Sequence, residues 1–582
     1  MSRQLELAKE QSQRTCGVGQ MNTQETAQLW LENVADDELH AQLEELLASE
    51  NKDALEDAFF QNLSFGTAGL RGIIGPGTNR MNIYTVGRAT QGLANYILDN
   101  CPDEVPRVAI ARDSRHKGEE FVAHAASVLA ANGIEVHIYP RIEPTPALSF
   151  AVRELDCFAG ICMTASHNPA SYNGYKAYGA DGCQITSEAA KAISFAIEGI
   201  DTFSDVKTMP FDDACARGLV KWIDDAVLDS FIEHVLACSV RGTTQDEFNL
   251  KLVYTPLCGT GLECMERIFD ALGISSVSLV EEQSKPDGNF PTCEYPNPEE
   301  RAALELGLEL ARQIDADLLI ATDPDADRVG IAVNHEAHFE LLTGNEVGIL
   351  MFDYLCRRRI EQGSMPLNPI AVSTIVSTAM IDAIAREYNV EVKRTLTGFK
   401  YIGDIITQLE QSGEEERFIL GFEESYGYLT GTHVRDKDAI NASLIICEMA
   451  DYYKNAGQSL VDVLKGLYER YGFYANRTIN VAFPGERGLN EMRRIMDGLR
   501  SAAPARIGGY SVEATRDYQP GVDGLPPADV VELSLAGGNK LIFRPSGTEP
   551  KIKVYLFCVC NNREDVQVTL DSLEEAARSL LG

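Results

Sequence analysis

Three stretches of the chain repeat one pattern: a continuous apolar run, a polar turn, an amphipathic helical segment and a second apolar run. The first opens with RVAIARDSR (107–115), continues as a helical stretch from Gly118 to about Ala131, and ends after Gly133 in EVHIYP. The second opens with KLVYTPLCGTG (251–261), continues with LECMERIFDAL and ends after Gly273 in SVSLV. The third runs through PIAVSTIVS (369–377), TAMIDAIAREY and VEVKRTL. The apolar runs are continuous rather than alternating, as in strands covered on both faces. Three such units, about 120–145 residues apart, predict three related α/β domains with mixed sheets.

The last hundred residues change period. RTINVAFP, GYSVEATRDY, VVELSLAGGNKLIFRPSG and KIKVYLFCVC alternate, with helical stretches at 488–502 and 563–581, and predict a C-terminal α+β domain with antiparallel strands. Polar stretches near 205–225, 335–345 and 470–476 read as linkers. The division expected is an N-terminal tail and helix (1–45), α/β domains at 46–220, 221–340 and 341–474, and the α+β domain at 475–582.

A chain of 582 residues exceeds a single core, which agrees with several domains. No apolar run approaches the ~20 residues that cross a bilayer. The first twenty residues lack the apolar core of a signal peptide, so a cytoplasmic location is expected. The net charge of −36 repels nucleic acid and anionic membranes, and neither is expected as a partner. Any phosphate site must therefore be made locally positive. Fourteen cysteines without a Cys-x-x-Cys pair read as free thiols. The chain is expected as a monomer or homodimer acting on small molecules.

Chemistry concentrates in a few loops. In DLLIATDPDADRVGIAV (317–333) an apolar strand runs into Asp323, Asp325 and Asp327. Three carboxylates at alternate positions of a tight loop repel one another unless a hard cation sits among them. Counting from Asp323, an EF-hand needs Gly at position 6 and Glu at position 12; Arg328 and Asn334 stand there, so that reading fails. Open positions for a phosphate oxygen suit Mg²⁺. In LIFRPSGTEPKIKV (541–554), Arg544, Ser546, Gly547 and Thr548 form a candidate anion cradle. ILGFEESYGYLTGTHVRDKDAI (419–440) sets Glu423, Glu424 and Ser425 among glycines and tyrosines, with His433, Arg435 and Lys437 downstream, and suits sugar hydroxyls. Two basic turns, LSFGTAGLRG with Arg71 and ARDSRHKG (111–118), could face an anion or be ordinary turns.

CMTASHNPASYNGYK (162–176) presents Ser166 at the end of an apolar strand. No Gly-x-Ser-x-Gly elbow and no P-loop occur, which weakens the hydrolase and nucleotide readings. His167 is adjacent in sequence, and neighbours on an extended backbone seldom point at each other. A phosphoserine held by a cation fits the aspartate loop better, since it carries nearly two negative charges.

These residues resemble the α-D-phosphohexomutases. TASHNP, DPDADR, GFEESYGY and RPSGTEPK look like that family's four active-site loops, in its order, one per domain. FGTAGLRG, TGFKYIGD and VRDKDAI look like its phosphoglucomutase branch, which includes phosphopentomutases. The resemblance implies four domains around a central cleft, with Ser166 phosphorylated and Asp323, Asp325 and Asp327 holding Mg²⁺ together with it. It implies Glu423, Ser425 and Lys400 as sugar contacts and Arg435 beside them. Arg544, Ser546, Gly547 and Thr548 would grip the non-reacting phosphate. Arg71, His167, Lys176, Arg328 and Lys437 would line the reaction centre. The implied activity interconverts glucose 1-phosphate and glucose 6-phosphate, with glucose 1,6-bisphosphate as activator. Mannose or ribose phosphates are alternatives, and a metal-dependent phosphatase or a silent sugar-phosphate sensor are rivals. FEESYGY lacks the final histidine of the Gly-Glu-Met-Ser-Gly-His loop common in bacterial phosphomannomutases. The general base stays open among His167, Lys176, His433 and Lys437. Turning the bisphosphate around is expected to need a mobile C-terminal domain, which fits a mostly polar junction near 470–476.

Overall fold

A computed structural model describes residues 22–66, 69–102, 104–242, 248–483, 485–546 and 551–582. The chain divides into two compact units. One comprises Met1–Cys238, Lys251–Ile331 and Thr432–Leu444; the other comprises Ser239–Leu250, Ala332–Gly431 and Ile445–Gly582.

The first sheet contains β1 (Leu70–Ile73), β2 (Arg107–Arg112), β3 (Glu135–Ile138), β4 (Ala159–Met163), β5 (Tyr172–Gly179) and β6 (Val220–Trp222), in the order β1-β5-β4-β2-β3-β6. β2 is parallel to β3 and β4, whereas β5 runs antiparallel to β4 and β1. The second sheet contains β7 (Leu252–Thr255), β8 (Val277–Leu279), β9 (Leu318–Thr322), β10 (Val329–His335) and β11 (His338–Leu342), in the order β11-β10-β9-β7-β8. The third contains β12 (Ile370–Thr374), β13 (Glu391–Thr395), β14 (Phe418–Glu423) and β15 (Gly427–Leu429), in the order β13-β12-β14-β15.

One arrangement recurs. In each sheet the first strand of the repeat (β2, β7, β12) lies between the second (β3, β8, β13) and the third (β4, β9, β14), all three parallel. Strands β2, β7 and β12 feed helices Gly118–Ala131, Gly261–Leu272 and Met380–Tyr388, as the apolar pattern predicts. The three loops rich in candidate chemistry leave the carboxyl ends of β4, β9 and β14, the end where parallel sheets place their ligands.

The fourth sheet contains β16 (Phe473–Ala482), β17 (Arg506–Ile507), β18 (Tyr510–Asp517), β19 (Val531–Leu535), β20 (Lys540–Pro545) and β21 (Lys551–Cys560), in the order β16-β21-β20-β19-β18-β17. Its pairings are antiparallel, as the alternation predicts. Helices Gly485–Ser501 and Glu564–Leu581 supply Met496, Leu499, Leu573 and Ala577 to one face. The other face shares an apolar cluster with the third domain: Ile375, Val376 and Leu396 pack with Tyr518, Val530, Ile542 and Tyr555. The third and fourth domains thus share an apolar seam, formed by residues too far apart in sequence to show as a pattern.

Two local features add to the sequence pattern. The stretch 205–225 is not only a linker: it carries helix Phe211–Ala216 and edge strand β6, parallel to β3. β6 buries Val220 but exposes Lys221 and Trp222, which erases its hydrophobic signature. Before the first sheet lie three helices, Thr23–Asn33, Asp37–Ala48 and Lys52–Phe59. Their N-caps are Asn22, Asp36 and Asn51, each accepting a backbone N–H. Trp30 anchors them, with Phe59, Tyr84 and Phe203 edge-on at 5.5–5.8 Å.

Candidate active site

β4 is buried throughout and delivers Thr164, Ala165 and Ser166 to its carboxyl end. Ser166 has φ 52°, in the left-handed region, where a side chain costs on the order of 1 kcal/mol. This conformation breaks the extended backbone on which neighbours seldom point at each other, and lets His167 turn toward Ser166. Nδ1 of His167 lies 3.1 Å from Ser166 Oγ. Burial, then Arg328 and Arg71, hold the His167 imidazole well below its ordinary pKa, so the ring is neutral at pH 7.

Ser166 Oγ donates to Asp323 Oδ2 at 2.7 Å, bringing the loops after β4 and β9 together. Asp323 Oδ1 accepts the backbone N–H groups of Asp327 (3.1 Å) and Arg328 (3.0 Å), which closes the aspartate loop. Asp323, Asp325 and Asp327 are all buried, and each offers an oxygen within 4.8 Å of the others. Burial and the two neighbouring carboxylates push Asp323 well above the usual carboxylate range. Asp327 behaves oppositely. Burial opposes its charge, but Lys176, Lys437 and Arg328 outweigh it and hold the carboxyl well below that range.

Lys176, in β5, donates to Asp325 Oδ2 (2.6 Å) and Asp327 Oδ2 (2.8 Å). Lys437 Nζ is 3.2 Å from both Asp327 Oδ2 and Asp436 Oδ1. Arg328 pairs with Glu299 at 2.7 Å and lies 3.8 Å from Asp327 Oδ1. Thr145 Oγ1 adds a hydrogen bond to Asp325 Oδ2 (2.7 Å). What remains is informative: Asp325 Oδ1 and Asp327 Oδ1 are buried with no hydrogen-bond partner. Buried carboxylate oxygens are rarely left so, and a hard cation completes such a set. The donor set therefore fits a metal site.

Two glycines permit the close packing behind this centre. A Cβ on Gly174 would lie 2.4 Å from Thr164 O and 2.8 Å from Leu70 O. A Cβ on Gly259 would lie 2.3 Å from Pro324 Cα, where Thr260 N and Oγ1 donate to Pro324 O at 2.9 and 3.0 Å.

Other expected site residues have different places. Arg71 donates to Asn168 Oδ1 at 3.1 Å, reaching the serine loop. Arg115, in the second basic turn, is buried; it pairs with Asp113 at 3.3 Å and binds carbonyls of the serine loop. His433, a candidate base, is buried, with Nε2 3.0 Å from Asp438 and Nδ1 3.9 Å from Cys238 Sγ. Arg435, expected among the sugar contacts, is fully buried and donates to the carbonyls of Thr432 and Val434. Asp436 was not foreseen. It accepts from Tyr178 and Gln184, both at 2.9 Å, and so orients Lys437.

In the second unit, Glu423 ends β14 and accepts the Gly398 N–H at 2.7 Å. That contact ties the sugar loop to the turn before Lys400, whose ammonium lies 4.9 Å from the Tyr401 ring centre. Glu424 accepts from Thr374 Oγ1 at 3.3 Å, and Ser425 is half-buried. Arg544, next to last in β20, lines a cavity of about 160 Å³ with Tyr401, Thr397, Leu396, Val376 and Pro545. Ser546 N donates to Lys551 O at 2.8 Å. Gly547 and Thr548 lie outside the described residues.

Family models for phosphoglucomutase/phosphomannomutase α/β/α domains I, II and III match residues 62–203, 229–336 and 343–471. A curated phosphoglucomutase of Staphylococcus aureus (strain bovine RF122 / ET3-1) is 36% identical over 558 residues, covering 94% of this chain and 98% of that protein. The chain belongs to the phosphoglucomutase/phosphomannomutase family. A Staphylococcus haemolyticus phosphoglucomutase is likewise 36% identical, over 88% of this chain and 93% of the relative. Among solved structures, the open form of parafusin, a phosphoglucomutase from Paramecium, shares the fold. Its TM-score is 0.67 at 18% identity, covering 89% of this chain and 94% of that one. The Aspergillus fumigatus N-acetylphosphoglucosamine mutase, solved with GlcNAc-6P and magnesium, aligns with a TM-score of 0.51 at 13% identity, covering 90% and 97%. Among the described residues no helix is long and apolar enough to cross a membrane.

Proposed function

We propose that this chain is a phosphoglucomutase, interconverting glucose 1-phosphate and glucose 6-phosphate through a phosphoserine at Ser166 and a sugar 1,6-bisphosphate intermediate. The observation that carries the reading is the aim of Ser166 Oγ, 2.7 Å from the buried aspartate cluster and 3.1 Å from His167 Nδ1. The curated relatives support glucose as the sugar.

In the forward direction the P–Oγ bond of phospho-Ser166 breaks and a bond forms from phosphorus to the free O6 of the sugar 1-phosphate. The O6 proton leaves and Ser166 Oγ takes one up. The bisphosphate turns, its 1-phosphoryl group passes back to Ser166, and glucose 6-phosphate departs. His167, neutral and in contact with Oγ, can take the Oγ proton when Ser166 attacks the 1-phosphoryl group in the second transfer, and the imidazolium so formed can protonate the departing sugar O1. Lys176, Lys437 and Arg328 surround the aspartates and offset charge on the transferring group, which is how most phosphoryl transfer is accelerated. Asp323, Asp325 and Asp327 would hold Mg²⁺, which supplies Lewis-acid stabilisation of the phosphoryl oxygens when bound. Glu423, Ser425 and Lys400 would bind sugar hydroxyls. Arg544 and Ser546, with Gly547 and Thr548, would hold the non-reacting phosphate. Glucose 1,6-bisphosphate would rephosphorylate an idle enzyme.

The test is a mutase assay with Mg²⁺ and catalytic glucose 1,6-bisphosphate, comparing kcat/KM for glucose, mannose and ribose 1-phosphates. Glucose should lead. Asp325→Ala should lower kcat at least ~10²-fold and abolish the response to added Mg²⁺. Preference for another sugar, or an unchanged metal titration in the variant, would count against the assignment.

A further inference from the structure

We propose that Arg115 is a positioning residue for Ser166, acting with Asp113 and Thr164 to impose the backbone conformation that aims Oγ at the aspartate cluster. The proposal rests on the phosphoserine reading of Ser166. Ser166 holds a left-handed φ of 52° that its own side chain disfavours, so surrounding groups must fix it. After β4 the chain leaves the sheet, and the carbonyls of Ser166, Asn168, Pro169 and Tyr172 converge on one point. The Arg115 guanidinium occupies it. Nη2 donates to Ser166 O at 2.6 Å and to Asn168 O; Nη1 donates to Pro169 O at 2.8 Å and Tyr172 O at 2.9 Å. A planar guanidinium has the donors for four diverging acceptors, whereas an ammonium has three on one atom.

The amide side of Ser166 is held as firmly. Its N–H donates to Thr164 Oγ1 at 2.8 Å, and Thr164 Oγ1 donates to Asp113 Oδ2 at 2.6 Å. Asp113 closes the circuit: Oδ1 accepts the Arg115 N–H at 2.9 Å, and Oδ2 lies 3.3 Å from Arg115 Nε. The Phe290 ring covers the guanidinium, centred 4.9 Å from Cζ. Arg115 is 3% exposed and Asp113 0%, so the pair does not meet the solvent from which a substrate arrives. Both peptide groups flanking the Ser166 Cα are thereby anchored to one buried ion pair fifty residues away in sequence.

A positioning role separates turnover from binding. Arg115→Lys keeps the charge but loses the fork. It should lower kcat for glucose 1-phosphate at least ~30-fold while KM changes less than ~3-fold in folded protein. Arg115→Gly should regain activity at least ~10-fold when guanidinium ion is added at tens of millimolar. Folded Arg115→Lys with kcat within ~2-fold of wild type, or activity that merely tracks the folded fraction without guanidinium rescue, would overturn the proposal. If the arginine variants fail to fold, Thr164→Val, which leaves the ion pair intact, decides. A selective loss of kcat supports the role, and unchanged kcat refutes it. Wild type treated with glucose 1,6-bisphosphate and Mg²⁺ is the control. No phosphate on its Ser166 by peptide mass spectrometry sinks the phosphoserine reading itself. Phosphate there, with unimpaired variants, sinks the positioning role alone.

Discussion

At Ser166 a left-handed backbone, a neutral imidazole and a buried carboxyl meet on one hydroxyl oxygen. Ser166 and the three aspartates stand in short motifs whose meaning survives without a fold. The contact between His167 and Ser166 is not legible, because the left-handed turn at Ser166 cannot be seen in the letters Ala-Ser-His. The place of Arg115 is not legible either, because four of its partners are carbonyls, which sequence does not mark. His433 shows the same difficulty: its chemistry is apparent, but its role follows from burial beside Asp438. There it titrates usefully. Burial opposes its charge, but the hydrogen bonds to Asp438 and Cys238 raise its pKa to about 9, above the ordinary imidazole range. A histidine raised in the folded state stabilises fully below the unfolded pKa and loses that contribution as pH climbs through the folded one. Unfolding by urea at pH 6 and pH 9.5 should therefore show a contribution on the order of 3 kcal/mol that fades with rising pH. His433→Asn should remove that slope; a variant with the wild-type profile would contradict the pairing.

Elements carry the next layer. The threefold repeat of strand, turn and helix is visible in the sequence because buried parallel strands are continuous apolar runs. The short edge strand β6 is not, since one buried valine makes no pattern. Nor are the close approaches that the glycines allow. Gly259 lets the loop after β7 rest on Pro324, in the middle of the aspartate loop. Gly259→Ala should push that loop aside, since the added Cβ meets backbone rather than a movable side chain. The expected result is a rise of ~10-fold or more in the Mg²⁺ concentration for half-maximal activity, with the strands themselves intact by circular dichroism. A metal titration matching wild type would mean that the contact does not shape the site.

At the scale of the molecule, each unit has its own logic. In the second, the C-terminal sheet and the third domain share one apolar cluster, so their stabilities are coupled. Leu396→Ala, at a buried position in that cluster, should cost about 2–5 kcal/mol and lower the unfolding transition of both domains together. Two separated calorimetric transitions, only one of them shifted, would show that the seam does not bind them. The negative charge of the whole chain acts elsewhere, by making local cations necessary: Lys176, Lys437 and Arg328 crowd the aspartates in a molecule of net charge −36.

The central claim is that this family member moves a phosphoryl group within one sugar through Ser166. It is tested most directly by phosphorus NMR of glucose 1-phosphate with the purified protein, Mg²⁺ and a trace of glucose 1,6-bisphosphate, beside Ser166→Ala. The account predicts that the 6-phosphate resonance grows as the 1-phosphate resonance falls, with no inorganic phosphate and no change in the variant. Release of inorganic phosphate, or conversion at full rate by Ser166→Ala, would contradict it.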